Sequence, residues 1–207
     1  MEKFLSLPIE KQTVIINAAL SCFGSQGYKK ASIADIAESA GISKSMVFHY
    51  FGTKKNLYMY LFRFCGTTLQ DAFAKQFNKD EKDFFERIRM ASLIEISLIQ
   101  DYPALLSFLQ SVYFETDEEV YADINRMFSV GEGIRNELAL NGMDISRFKE
   151  GVDPKLLMKM LVWITEGYMS EMPRKNDFDL TGLLAEFNAC MDLLKNNLYK
   201  EHSCNEV

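Results

Sequence analysis

The stretch Ser32–Lys54, SIADIAESAGISKSMVFHYFGTK, decides the fold. Ser32 is placed to cap a helix, with Asp35 three residues on as an acidic capping-box partner. Ile33, Ile36, Ala37 and Ala40 recur at three- and four-residue spacing, so they share one apolar helix face. Gly41 follows where a left-handed residue stops a helix. Ser43 then caps a second short helix, with Val47 and Phe51 on one side and Ser45 and His49 on another. Gly52 closes it, and Thr53 caps a third segment. Two short helices about a tight glycine-containing turn are the sequence form of a helix-turn-helix, which predicts contact with duplex DNA.

Upstream, the pattern predicts a helix from about Pro8 to Gln26, stopped at Gly27, with Ile15, Ala18, Ala19, Cys22 and Phe23 as its apolar stripe. It braces two helices too short to bury a core alone. Tyr28, Lys29 and Lys30 form the connecting loop; the two lysines either contact phosphate or are simply solvated. In a helix-turn-helix the second helix presents its N-terminal residues to base edges. That role falls to Ser43, Lys44 and Ser45, and one turn later to His49. Lysine suits guanine, and serine hydroxyls suit bases or phosphate. Tyr50, Thr53 and Lys54 lie where the chain crosses the DNA backbone, helped by free N–H groups of the next helix. Phe48 and Phe51 are expected in the core.

Downstream the pattern is all-α. Helices are predicted over about 53–77, 84–100, 103–114, 117–140, 154–172 and 180–199, with a polar break at 78–83 and a loop at 141–153. Pro8, Pro103 and Pro154 suit first turns, and Pro173 suits a position past a helix end. Two domains are expected: residues 1–54 for DNA binding and 55–207 for ligand binding and dimerisation, joined by the helix over 53–77.

Composition narrows the function classes. An apolar fraction of 48% with 25% charged residues is that of a folded chain. Residues 1–65 hold eight Lys/Arg against four Asp/Glu, while residues 66–207 hold fifteen against twenty-five. The acidic whole therefore has a basic end, which keeps nucleic acid in play there. Cys22, Cys65, Cys190 and Cys204 lack CxxC spacing, and His49 and His202 are the two histidines, so no metal site or disulfide framework is expected. Cys22 and Cys190 fit buried apolar positions; Cys65 or Cys204 are the candidates if a thiol senses redox state. No signal-peptide or membrane-spanning run is found, which makes a cytoplasmic location the expectation.

The string AALSCFGSQGYKKASIADIAESAGISKSMVFHYFGTKKNL resembles the N-terminal domain of TetR-family transcriptional regulators over about residues 8–60. The likeness includes Phe-x-x-x-Gly-Tyr at the end of the first helix, Ala-Gly-Ile-Ser in the turn, and Tyr-Phe-x-x-Lys-x-x-Leu entering the helix after it. The resemblance implies phosphate contacts from Ser32, Tyr50 and Lys54, and base contacts from Ser43–Ser45 and His49. It also implies a homodimer, most often a repressor; a palindromic or pseudo-palindromic operator and no cofactor are expected. Ser45 stands where the family often has glycine, and Phe48 where it often has tyrosine.

The C-terminal region is rich in Met and aromatic residues at helical spacing, which suit a core or an adaptable apolar pocket. Glu95 and Glu166 interrupt apolar runs. Each suits solvent or an interface; together with Phe108, Tyr113, Met127, Trp163 and Tyr168 they line a candidate pocket for an apolar or aromatic inducer, cationic if the carboxylates face it. The last two helices are apolar on more than one side, so Leu157, Leu161, Ile164, Leu184, Phe187 and Met191 are candidates for a dimer interface. The expectation is a ligand-responsive DNA-binding repressor released by its inducer. Two rivals are a helical protein-binding adaptor and an enzyme; no Gly-rich phosphate loop, HExxH or GxSxG sequence supports the latter.

Overall fold

The computed structural model describes residues 1–102, 104–171 and 180–201, without the side chains of 99–101, 169, 171 and 180. Pro103, Pro173, His202 and Cys204 lie outside the described residues. The elements in order are α1 (Glu2–Leu5), α2 (Ile9–Lys30), α3 (Ile33–Ser39), α4 (Lys44–Phe51), α5 (Lys54–Gln76), α6 (Phe84–Asp101), α7 (Leu105–Tyr113), α8 (Glu118–Leu140), a 3-10 turn (Ile145–Arg147), α9 (Pro154–Glu171) and α10 (Leu180–Leu198). The all-α expectation holds. The pairing of Phe148 with Tyr199 is an isolated bridge.

Local chemistry sets the helix starts. Ser43 Oγ accepts from the Met46 N–H at 3.2 Å, and Thr53 Oγ1 from the Asn56 N–H at 3.0 Å. Ser32 Oγ takes the Ala34 N–H at 3.1 Å. Asp117 takes the Glu119 N–H at 3.0 Å, with Glu118 and Glu119 in the favourable first turn of α8. Gly41, at φ 65°, makes the left-handed stop between α3 and α4.

Two details differ from the sequence reading. The first long helix does not end at Gln26: after a non-helical Gly27, one more turn carries the chain to Lys30. Residues 2–5 also form a helix, and its Phe4 is fully buried beside Phe51 (ring centroids 4.8 Å) and Tyr60 (5.4 Å). A single anchoring aromatic in a four-residue helix leaves no periodicity to detect.

The core does not stop at residue 54. One continuous apolar cluster runs from Leu20, Phe23, Ile36, Val47 and Phe51 through Tyr58 and Leu61 to Phe108, Val112 and Ile124. α7 and α8 therefore pack on the helix-turn-helix unit. A second cluster fills the distal end with Phe84, Phe85, Phe148, Leu157, Leu161 and Met191, and a third joins α5 to α6 through Phe73, Phe77, Ile94 and Leu98.

Among the described residues, the most extensive helix contact is α2 on α7. It depends on Gly24: a Cβ there would meet Ser107 Oγ at 2.6 Å and the Phe108 backbone nitrogen at 2.9 Å. Ser111 Oγ donates to the Phe23 carbonyl at 3.1 Å, and Glu115 Oε2 accepts from the Tyr28 N–H at 2.8 Å. Lys55 and Asp123 add an ion pair at 2.9 Å between α5 and α8.

At the far end Asp83 caps α6, accepting from the N–H groups of Phe85 (2.9 Å) and Glu86 (3.2 Å). It also pairs with Arg147 at 2.7 Å and Lys195 at 3.0 Å, which ties α10 and the 3-10 turn to the same point.

Candidate nucleic-acid interface

α4 buries one side and exposes the rest. Val47, Tyr50 and Phe51 pack inward, while Ser43, Lys44, Ser45 and His49 are exposed, as a base-reading surface requires. The serines are not independent: Ser43 and Ser45 hydroxyls lie 2.8 Å apart in a hydrogen bond, and Ser43 also serves as the cap. One donates to the other, so the pair keeps one hydroxyl proton for an outside acceptor.

Phe48 corrects the sequence reading. Expected in the core, it is 41% exposed. The helix is about two turns long, and Val47, Tyr50 and Phe51 already fill its inward side. Tyr50 is the converse. Its ring packs near Phe4 and Phe51, leaving it 6% exposed, so the core takes most of the surface assigned to phosphate contact.

The remaining candidate phosphate contacts gather at three helix ends. Lys29 and Lys30 are exposed on the last turn of α2. Ser32 and Thr53 stand at the N-caps of α3 and α5, where helix dipoles favour an anion. Lys54 opens α5; its ammonium donates to the Lys29 carbonyl at 3.1 Å and sits 4.9 Å above the Tyr28 ring. That holds its charge beside the α2 end instead of leaving a free tether.

The candidate pocket residues divide. Phe108 is fully buried in the core, edge-on to Tyr58 at 5.3 Å, and borders no open space, which removes it as a pocket wall. Met127 is partly buried against the same core. Trp163 (54% exposed) and Tyr168 lie on the outer surface of α9 instead; Tyr168 hydrogen-bonds Glu186 of α10, and the Lys159 ammonium sits 5.0 Å over Trp163.

Tyr113 of α7 meets Glu166 of α9, and Arg135 of α8 lies near enough to act on both Tyr113 and Glu95 of α6. Burial, with the Glu166 carboxylate as hydrogen-bond partner, pushes the Tyr113 phenol up to about 12, and Arg135 opposes this. Protein packed around Glu95 raises its carboxyl above the usual value, against the pull of Arg135. Yet Glu95 is accessible to solvent. Arg135 was missed because on α8 it reads as an ordinary solvated charge.

The candidate interface residues divide as well. Leu157, Leu161 and Met191 are buried within the chain itself and have almost no surface to give a partner; Leu184 and Phe187 are half-buried, Phe187 against the same cluster. The face left free carries Leu156, Met160, Trp163 and Ile164 of α9, together with Leu193 of α10.

The cysteine readings also change. Cys190 is exposed, not buried, and Cys65 is buried, its thiol pushed up to about 12 by desolvation. A thiol so disfavoured as thiolate is a poor redox sensor. Among the described residues, no three metal-ligating side chains converge and no helix is long and apolar enough to cross a membrane.

Comparison with known proteins agrees with this geometry. Residues 15–61 match the family model "Bacterial regulatory proteins, tetR family". The chain is 27% identical over 172 residues to the HTH-type transcriptional repressor AcnR of Corynebacterium efficiens, covering 80% of this chain and 83% of that protein. It is 25% identical over 185 residues to the nucleoid occlusion factor SlmA of Klebsiella pneumoniae, covering 82% and 89%. Its fold is similar to the fatty acid degradation regulator FadR of Bacillus halodurans, with TM-score 0.67 and 20% identity over 86% of this chain and 95% of that one. It is also similar to FadR of Bacillus subtilis in complex with stearoyl-CoA, with TM-score 0.63 and 20% identity over 87% and 95%. A capped helix-turn-helix with exposed polar groups on its second helix and a matching family model lead to one conclusion: residues 15–61 form a DNA-binding domain of the tetR family, in a chain that is similar over most of its length to transcriptional regulators.

Proposed function

We propose that the chain is a homodimeric repressor whose hold on a pseudo-palindromic operator is released by a small apolar ligand. The observation that carries this is the double duty of α7. One side of this short helix is bonded to the DNA-binding unit through Ser111 and Phe23, with Glu115 and Tyr28 just beyond its end. Its Tyr113 hydrogen-bonds Glu166 of α9, with Arg135 of α8 close enough to act on Tyr113 and on Glu95 of α6. A ligand that prefers a different position of α7 therefore shifts the helix-turn-helix unit, and only such differential affinity moves the equilibrium. Two recognition helices must sit about 34–36 Å apart to enter successive major grooves, so a modest tilt suffices for release. The exposed apolar face of α9 and α10 supports the dimer, and the repressor name of AcnR and the stearoyl-CoA bound to a fold relative support the mode of action.

Tyr113 and Met127 supply apolar wall, and Glu95 and Glu166 offer counter-charge to a cationic group. Operators selected from a random duplex pool provide the assay. Long-chain acyl-CoA and cationic aromatic amphiphiles are then titrated against the bound operator. A true inducer raises the melting temperature of the protein and releases DNA over the same concentrations, and Glu166→Gln weakens cationic compounds more than neutral ones of the same shape. If neither class changes melting or operator occupancy, the sensor reading fails.

A further inference from the structure

α4 presents apolar surface that polar base readout does not use. Phe48 is 41% exposed and Met46 39%, in an eight-residue helix whose other outward side chains are Lys44, Ser45 and His49. Phe48 follows Lys44 by four residues and Ser45 by three, so it shares their side of the helix. The surroundings are cationic, with Lys29, Lys30, Lys44 and Lys54 around this end of the molecule. A duplex is the occupant that such charge favours. Polar readout here is thin, because Ser43 and Ser45 bond each other at 2.8 Å and Ser43 is also engaged as a cap. An aromatic ring without a hydroxyl cannot pair with a base edge or a phosphate. The apolar group that a major groove does offer is the C5-methyl of thymine.

We infer that Phe48 reads thymine through its C5-methyl group and so sets one position of operator preference. The inference rests on α4 being the base-reading helix. Closing the ring over a methyl removes both from water, the same gain as burying apolar surface in a core.

The test uses the full chain. Duplexes are enriched from a random pool, and each thymine of the enriched site is replaced singly by deoxyuridine, which deletes the methyl and leaves the hydrogen-bonding edge intact. The expected result is one thymine at which the loss weakens binding about fourfold, the worth of one buried methyl-sized group. Phe48→Ala should bind the thymine and uridine sites equally. Uridine that is neutral at every thymine overturns the inference, as does a Phe48→Ala chain that keeps the wild-type sensitivity. The uridine scan needs only the wild-type protein, so a neutral result there overturns the inference whatever the variant's stability. A chain that enriches no duplex removes the base-reading role of α4 and this inference with it; an enriched site indifferent to uridine removes the inference alone.

Discussion

At the residue scale, Lys54 shows how a single charge is aimed. Its ammonium is held by the Lys29 carbonyl and the Tyr28 ring, at the start of a helix whose N–H groups already favour an anion. A preorganised cation of this kind contributes to every duplex alike. Lys54→Ala should weaken selected and unselected duplexes by similar factors and reduce the slope of log affinity against log salt by about 0.9. Titrations at several salt concentrations measure this, and a sequence-selective loss with an unchanged slope would show that Lys54 reads bases instead. The type and spacing of Ser43, Lys44, Ser45, His49 and Lys54 were legible in the sequence. The exposure of Phe48 was not, because a phenylalanine three residues from apolar Phe51 reads the same whether it faces core or groove.

At the element scale, the α2–α7 crossing joins the two halves of the chain. Gly24 permits it by approach, since a side chain there would strike the backbone nitrogen of Phe108, which has no rotamer to yield. Gly24→Ala should destabilise the protein by about 1–3 kcal/mol through overpacking, and should alter operator affinity, because α7 must move relative to α2. A thermal melt compared with a duplex titration tests both. A fully stable variant with unchanged affinity would mean that the crossing relaxes freely. Arg87 plays a comparable part at the distal end. Its buried guanidinium donates to the carbonyls of Leu138, Asn141, Lys79 and Glu81, taking up acceptors at the end of α8. Neither Gly24 nor Arg87 announces itself in a sequence, since each depends on a backbone distant along the chain.

At the scale of the whole molecule, Asp83 gathers α6, α10 and the 3-10 turn at one buried point. Burial pushes its carboxyl up, but Lys195, the Glu86 N–H and Tyr199 outweigh this and hold it below the ordinary value. Its contribution to stability is therefore complete above the unfolded carboxyl's range near pH 4, and is lost as pH falls through the lower folded value. Asp83→Asn keeps a capping oxygen and gives up the ion pairs. It should cost roughly 2 kcal/mol at neutral pH, with the gap to wild type closing in acid. Urea unfolding at pH 7 and pH 3 checks this, and a gap independent of pH would count against the ion-pair account. The outward face of α9 makes a second prediction. Ile164 is 51% exposed beside Trp163, so Ile164→Asp should leave the protomer folded while shifting it to a monomer with weakened operator binding. Sedimentation with a duplex titration decides it; an intact dimer would place the interface elsewhere.

The sequence by itself determined the helix-turn-helix, because caps at Ser32, Ser43 and Thr53 and the stop at Gly41 act within one turn of their own position. The all-α character followed from the same local periodicity. Tertiary structure alone decided which way α9 and α10 face. Both helices are apolar on more than one side, so the pattern cannot say that Leu157, Leu161 and Met191 turn inward while Trp163, Ile164 and Leu193 stay outside. It also decided that Tyr113 meets Glu166 and that Arg135 lies near both Tyr113 and Glu95. Four helices carry these groups, and their meeting depends on how the bundle packs, a property that no stretch of the chain encodes alone.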